Sequence, residues 1–553
     1  MRRFLPVVLS GSATCLLVAV LVLERGSLAS KLFVVSFVAL AFSLLYAAFG
    51  RIHLAAVASA GTALSIFLIS QIKLHFWGIP FLFFDIVFLV RKNFVELLVN
   101  DYRILLAVAS LVTVVVTGVW GLWRLESPRR RGVSLLGVPC VIAAVAYAPS
   151  IGEMRAMEMM DLVSWDHTVA TFLISAWHSG VKLQPSSPIG SSRTEAFTPV
   201  HASESASSLP DIICILEEST FDARKLFRLG RASKDLDDFF APVGAKSGPL
   251  RVDTFGGATW LAEFPFLTGI PNWSFGQNGC YAPFLLEGQI RHSLPSFLHG
   301  VGYHTLAVYP VAGNFVNAQR FYQSVGFDDF FDPSSLRPQR QWDWRTRDAE
   351  IFGAALDAIR DARRSANKPV FAFILTMNQH QPHSATEESE KLSDFVDLDE
   401  VEADGVGGFS EYLFRLRQSA EDLRSFRERY IAEFPSSRAV FLHFGDHHPP
   451  ISWHIRSATH FKKGIPDELM QTYYAMWSIR YTLQPTSLDP LRPLDIPFLS
   501  TLLVKSIGLP SDQVFDRREA MAVHCEGRYE GCDPASLTRL HDFLLNNRLV
   551  LNQ

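Results

Sequence analysis

Phe444-Gly445-Asp446-His447-His448-Pro449 is the stretch on which the reading of this chain turns. It follows Arg438-Ala439-Val440-Phe441-Leu442-His443, an apolar run short enough to be a buried strand. An Asp and a His at the end of a strand, after a Gly that lets the backbone turn, can both face one metal ion. A surface loop with an adjacent Asp and His has the same signature, so the weight rests on what lies upstream.

Two other apolar runs end in chemistry-bearing residues. Asp211-Ile212-Ile213-Cys214-Ile215-Leu216 leads into Glu217-Glu218-Ser219-Thr220. Pro369 to Leu375 leads into Thr376-Met377-Asn378-Gln379-His380-Gln381-Pro382. Leu306-Ala307-Val308-Tyr309 is a further short run, and helical patterns at His292–His299 and Ala349–Ala362 lie between them. Strands alternating with helices predict a mostly parallel sheet covered on both faces. Such sheets bind ligands beyond the carboxyl ends of their strands, where Glu218, His380, Asp446 and His447 all fall.

The N-terminal part reads differently. Uncharged apolar runs at Phe4–Leu23, Leu32–Phe49, Leu54–Ser70, Ile104–Trp123 and Val133–Ala148 predict about five membrane spans. Arg2, Arg3, Arg51, Arg124 and Arg129-Arg130-Arg131 fall on one side if all five cross, which places the cytoplasm there and everything after Ile151 outside. Between the third and fourth spans, Lys73 to Asp85 is aromatic, broken by Gly and Pro, and carries Lys73, His75 and Asp85. It reads as an interfacial loop or as a lipid-headgroup contact. Met154–Trp177 predicts amphipathic helices at the membrane surface, and Gln184–Pro210, rich in Ser and Pro, predicts a linker.

With 553 residues the chain exceeds one domain, and a net charge of −4 gives no nucleic-acid signal. Among six cysteines there is no Cys-x-x-Cys pair, so a metal would rely on oxygen and imidazole ligands. Cys525 and Cys532 flank a polar loop with two glycines, and they close a small disulfide only in an oxidising compartment.

Two threonines compete as nucleophile. Thr220 shares a loop with Glu218. Thr259 lies in Phe255-Gly256-Gly257-Ala258-Thr259-Trp260-Leu261-Ala262-Glu263, where a glycine pair gives way to a helical pattern. A hydroxyl at a helix N-terminus is well placed to become an alkoxide and to hold an anion, although a plain N-cap has the same pattern. Thr259 is taken as the nucleophile and Thr220 as a loop residue.

Taken in order, a strand ending in Glu-Ser, a Gly-Gly-x-Thr helix start, Asn-x-His-x-Pro and Gly-Asp-His resemble the sulfatase-like branch of the alkaline phosphatase superfamily. Within it the pattern is similar to lipoteichoic acid synthases and the membrane phosphoglycerol and phosphoethanolamine transferases. The resemblance implies an alkaline phosphatase-like α/β domain carried outside the membrane on a five-span helical anchor. It implies one divalent metal ion, Mn²⁺ or Zn²⁺, on Glu218, Thr259, Asp446 and His447. Thr259 would form a phospho-threonine intermediate, His380 would protonate or bind an oxygen, and Asn317, Arg320, Asn378 and His448 would contact substrate. The expected partners are a phospholipid donor, an envelope glycan or glycolipid acceptor and the membrane; nucleic acid is not among them. The expected place is the bacterial inner membrane with the catalytic domain in the periplasm.

The pattern departs from lipoteichoic acid synthases at Tyr309–Arg320. There the family's His is missing and its Trp position reads Val316, which weakens the case for glycerol phosphate. A sulfatase would need Cys/Ser-x-Pro-x-Arg, and Cys532-Asp533-Pro534-Ala535-Ser536 lacks the Arg. A headgroup-releasing phosphodiesterase would use the same residues, and a non-catalytic envelope scaffold would need none of them. The domain reading is residues 1–151 as anchor, 152–210 as interfacial helices and linker, 211–510 as catalytic domain, and 511–553 as a C-terminal extension packing on it.

Overall fold

The computed structural model describes residues 5–23, 28–77, 81–83, 85–86, 102–128, 168–177, 196–200, 209–225, 236–336, 339–383, 408–452 and 467–551. The chain divides into two compact units, Met1–Gly180 with Gly276–Asn278, and Val181–Phe275 with Gly279–Gln553.

In the first unit, helices α1 (Leu5–Leu23), α2 (Leu28–Phe49), α3 (Ile52–Trp77) and α4 (Tyr102–Leu125) cover four of the predicted runs. Among the described residues, α1, α2 and α3 are long and apolar enough to cross a membrane; the run at 133–148 lies outside those residues. Helix α3 is the hub, touching α1, α2, α4 and α5 (Thr168–Trp177). Its buried Ala55, Ser59, Ala60 and Ala63 explain this, because small side chains let neighbouring helices approach closely. The Glu126 carboxylate, just past α4, accepts from the His53 and Leu54 N–H groups at 3.2 and 2.9 Å, while the Arg51 guanidinium sits 3.9 Å over the Trp123 ring. Orphan N–H groups at the start of α3 are thereby satisfied from another helix.

Of the segment 154–177, expected as surface-lying helices, the structure describes residues 168–177. Helix α5 buries Thr168, Val169, Ala170, Thr171, Phe172 and Ser175 and packs against α2 and α3. Its sequence is apolar all round, so it has no polar face to leave in water. In the Lys73–Asp85 stretch, the Lys73 ammonium binds both Asp85 oxygens at 2.8 and 2.7 Å, and Asp85 also accepts from the Leu82 N–H at 2.7 Å. This salt bridge is almost fully buried.

The second unit is built on an eight-stranded sheet in the order β4-β3-β5-β1-β6-β7-β2-β8. The strands are β1 (Asp211–Glu217), β2 (Lys246–Arg251), β3 (His304–Val308), β4 (Asp329–Phe331), β5 (Val370–Leu375), β6 (Ala439–Gly445), β7 (Gln471–Ile479) and β8 (Leu494–Asp495). Five neighbouring strands, β4 to β6 in that order, are parallel; β7 runs antiparallel to both its neighbours. Alternating side chains feed two cores. Ile212, Cys214, Leu216, Val440, Leu442 and Phe444 meet helices α6 (Trp260–Thr268), α7 (Leu294–Val301) and α11 (Ile496–Ile507) on one face. Ile213, Ile215, Ala439 and Phe441 meet α9 (Asp348–Ala366) and α10 (Phe409–Glu433) on the other. The short helix α8 (Ala318–Ser324) joins the first core, as do α12 (Gln513–His524) and α13 (Pro534–Asn546), through Phe515, Leu540 and Phe543. Cys525 and Cys532 are joined as a disulfide.

Candidate active site

Strands β1 and β6 are paired in a register that sets Glu217 opposite Gly445. They therefore end together, and the next residue of each, Glu218 and Asp446, emerges side by side. Only a residue without a Cβ allows this: a methyl group on Gly445 would lie 1.8 Å from the Thr220 carbonyl oxygen. Asp446 Oδ1 accepts from the Ser219 and His447 N–H groups at 2.7 and 2.6 Å. Ser219 adopts φ 48° to make that turn, and its hydroxyl donates to Glu218 Oε1 at 2.8 Å.

The third arm comes from the loop before α6. Gly256, Gly257 and Ala258 all have positive φ, and the Gly256 N–H donates to the His448 carbonyl at 2.8 Å. This delivers Thr259 to the helix start with its hydroxyl donating to Glu218 Oε2 at 2.9 Å. Its side chain makes no capping bond, so the plain N-cap reading does not describe it. Thr220, by contrast, is fully buried and donates to the Glu218 carbonyl at 2.8 Å.

Glu218, Asp446 and His447 each offer a ligand atom within 4.8 Å of the others, and all three residues are buried. His447 Nδ1 lies 3.0 Å from the His448 carbonyl. A carbonyl only accepts, so Nδ1 carries the proton and Nε2 presents a lone pair. That lone pair faces Asp446 Oδ2 at 3.2 Å and Glu218 Oε1 at 3.7 Å, yet neither Nε2 nor Oδ2 makes a hydrogen bond. Three acceptors converge on one buried point, an arrangement that costs free energy unless a cation sits among them. The residues fit a divalent metal ion.

Charge in the site follows the same geometry. Burial, and then the facing Glu218 carboxylate, hold the Asp446 carboxyl well above its ordinary range. Burial pushes Glu218 the same way, but His380, then His447, and the hydroxyls of Ser219 and Thr259 outweigh it and hold that carboxylate low. Burial keeps His447 neutral, the form in which imidazole binds a metal.

His380 is half-buried beyond β5, with Nδ1 2.6 Å from the Gln381 carbonyl and its ring 4.6 Å from that of Trp344. Its loop is braced from behind. Asp348 Oδ1 accepts from the Met377 and Asn378 N–H groups at 3.0 Å each, and Arg415 donates to the His380 carbonyl at 2.9 Å. Asn378 belongs to this brace. Its amide donates to the Arg415 carbonyl and to Ser419, so the structure does not bring it to the site as a substrate contact. His448 lies behind the metal cradle, Nε2 on the Gln471 carbonyl at 2.8 Å and its ring 4.0 Å from Phe221. Asn317 gives its amide to Glu287 at 2.7 Å, and Arg320 is exposed on α8.

Sequence reasoning missed Ser219, although it stands in the quoted Glu-Glu-Ser-Thr run, because its part is to tie two carboxylates together. It missed Glu263 too, one helical turn after Thr259. Glu263 accepts from the Tyr322 hydroxyl at 2.7 Å, and burial raises its pKa to about 8.

Residues 210–474 match the family model described as Sulfatase. An uncharacterized protein of Haemophilus influenzae is 22% identical over 498 residues, 88% of each chain. A putative cyclic beta-1,2-glucan modification protein of Rhizobium meliloti is 26% identical over 276 residues, 49% of this chain and 40% of that one. Among solved structures, a Streptococcus pyogenes phosphoglycerol transferase in complex with sn-glycerol-1-phosphate is 16% identical, with 62% of this chain and 87% of that chain covered and a TM-score of 0.47.

Proposed function

Starting from a domain that matches the Sulfatase family model and is joined to apolar helices, we propose that the protein is a membrane-anchored, metal-dependent transferase. It moves a phosphoglycerol or phosphoethanolamine group from a phospholipid to an envelope glycan or glycolipid through a phospho-threonine intermediate. The observation that carries this reading is the convergence of the Thr259 hydroxyl with Glu218, Asp446 and His447, where the facing Asp446 Oδ2 and His447 Nε2 have no hydrogen-bond donor. A glycan acceptor draws support from the glucan-modification name of the Rhizobium meliloti relative. The paired Cys525 and Cys532 suit an oxidising compartment, which supports a periplasmic or outer-surface catalytic half.

Glu218, Thr259, Asp446 and His447 would hold a divalent ion, Mn²⁺ or Zn²⁺, whose positive charge would acidify the threonine hydroxyl and offset charge on phosphoryl oxygens. The chain's own groups do the rest. Thr259 Oγ1 forms a bond to phosphorus while the bond from phosphorus to the diacylglycerol oxygen breaks. The threonine proton leaves along its hydrogen bond to Glu218 Oε2. The start of α6 turns the positive end of its dipole toward the charge that develops there. Nδ1 of His380 is engaged by the Gln381 carbonyl, so Nε2 is the atom that protonates the departing diacylglycerol oxygen. In the second half, neutral Nε2 accepts the proton of an acceptor hydroxyl, whose oxygen bonds to phosphorus. The bond to Thr259 breaks, and the threonine regains its proton from Glu218.

Full-length protein in detergent, incubated with mixed bacterial phospholipids and Mn²⁺ or Zn²⁺, tests this by intact-mass and peptide mass spectrometry. The expected result is an adduct on Thr259, absent in Thr259→Ala, whose mass names the headgroup. Free headgroup accumulating without an acceptor indicates a phosphodiesterase instead. An unmodified Thr259 with no turnover overturns the reading.

A further inference from the structure

In the described part of the second unit, the aromatic rings are almost all packed away; Trp344, 43% exposed, is the large exception. It is held out deliberately in structural terms. Asp343 closes a turn around it, its N–H donating to Thr346 Oγ1 at 2.7 Å and its Oδ1 accepting from the Arg345 N–H at 2.8 Å. Phe315 meets the indole edge to face at 5.5 Å, and the His380 ring lies against it at 4.6 Å, tilted by 33°. His380 follows β5, whose end is paired with that of β1, and the Glu218 N–H donates to the Thr376 hydroxyl at 3.0 Å, so the indole stands at the rim of the same strand ends. Exposing such a ring forgoes the gain of burying it, which favours a ligand that covers it.

We propose that Trp344, backed by Phe315, is the platform on which a neutral sugar ring of the acceptor stacks, with its hydroxyls beside His380. The proposal rests on the transferase reading above and gives its acceptor a place. An indole face binds the C–H face of a pyranose and does little for a phosphate. The surrounding residues Gln341, Asp343 and Arg345 are exposed and offer planar hydrogen-bonding groups of the kind that sugar hydroxyls use. An ammonium group would instead need aromatic walls closed around it, and Arg345 beside the ring opposes a cation. Stacking on an indole already in contact with His380 brings a sugar hydroxyl to the base that must deprotonate it.

The test is equilibrium titration of the full-length protein in detergent with a linear β-1,2-linked gluco-oligosaccharide, and separately with inorganic phosphate in the presence of Mn²⁺. The expected result is that Trp344→Ala weakens saccharide binding about tenfold while Trp344→Phe keeps most of it. Phosphate affinity should fall far less than saccharide affinity in Trp344→Ala. Three outcomes overturn the proposal: no saccharide binding by the wild type, equal loss of both ligands in Trp344→Ala, or wild-type saccharide affinity in that variant. Tetramethylammonium binding that depends on Trp344 in place of the sugar would mark a cation site and also overturn it. Saccharide binding requires no turnover, so a missing adduct on Thr259 sinks the transferase reading without deciding this one.

Discussion

Replacing Gly445 by Ala tests whether the meeting of two strand ends is what makes the site. The added methyl would sit 1.8 Å from the Thr220 carbonyl oxygen, 2.9 Å from its carbon and 3.2 Å from the Thr472 Cβ. Two of these neighbours are backbone atoms of the β1 exit, with no rotamer to escape into. Carbon contacts settle near 3.5 Å, so the two exits must part by more than about 1 Å. Overpacking of that kind costs about 1–3 kcal/mol. The hydrogen bond from Ser219 N–H to Asp446 Oδ1, 2.7 Å long and charge-assisted, is stretched with it, at about 1.5–3 kcal/mol if lost. At about 2–4 °C per kcal/mol, the melting temperature should fall by roughly 5–24 °C. Affinity for Mn²⁺ should fall at least about tenfold, because Glu218 and Asp446 no longer face one point. Gly353→Ala is the matched control. In the middle of α9 its methyl meets only Arg429 Nη1, at 4.0 Å, so it should be neutral or gain about 0.5–1 kcal/mol. Differential scanning calorimetry and metal titration on the three proteins decide the matter. If Gly445→Ala melts with the wild type and binds Mn²⁺ equally well, the account of the strand ends is wrong.

Two further perturbations have signed outcomes. Glu263 carries a folded pKa raised from 4.5 to about 8 by burial, so its contribution is present below the unfolded value and is lost as pH rises through that window. Glu263→Gln should therefore gain stability relative to wild type in melts taken at successively higher pH, and parallel curves would remove the argument. In the first unit, Lys73→Met leaves Asp85 buried without its partner at about 3–5 kcal/mol, while Lys73→Met with Asp85→Leu should be milder. Melting of the detergent-solubilised protein with equal losses in both variants would show that the pair is not coupled.

How much of this was legible in the sequence depended on whether a residue's role is local. Strands β1, β3, β5 and β6 read clearly because a parallel strand buried on both faces must be a continuous apolar run. Strand β2 gave no signal: Lys-Ser-Gly-Pro-Leu-Arg has a Gly and a Pro in its centre, and only its pairing with β7 and β8 makes it a strand. Three-residue β4 is too short to announce itself. Glu218, Asp446 and His447 were visible because each directly follows such a run. Asn378 sits in an equally suggestive place, but its amide is claimed by α10, a helix whose approach no local pattern reveals. Trp344 was silent for the opposite reason, since an exposed aromatic in a polar loop carries no periodicity at all.

The order of strands in the sheet also has a bearing on when the protein becomes able to work. Strand β1 lies at the centre of the sheet and is made first, yet its partners are β5 and β6, the latter some 228 residues later. A nascent chain therefore carries an apolar strand with two bare edges until most of the second unit has been synthesised, a costly closure of non-local contacts. Glu218 waits with it, because Asp446 and His447 arrive only with the end of β6. The metal ion proposed above would therefore find no complete cradle before the end of β6 is made, and a chain truncated ahead of it would lack two of the ligands.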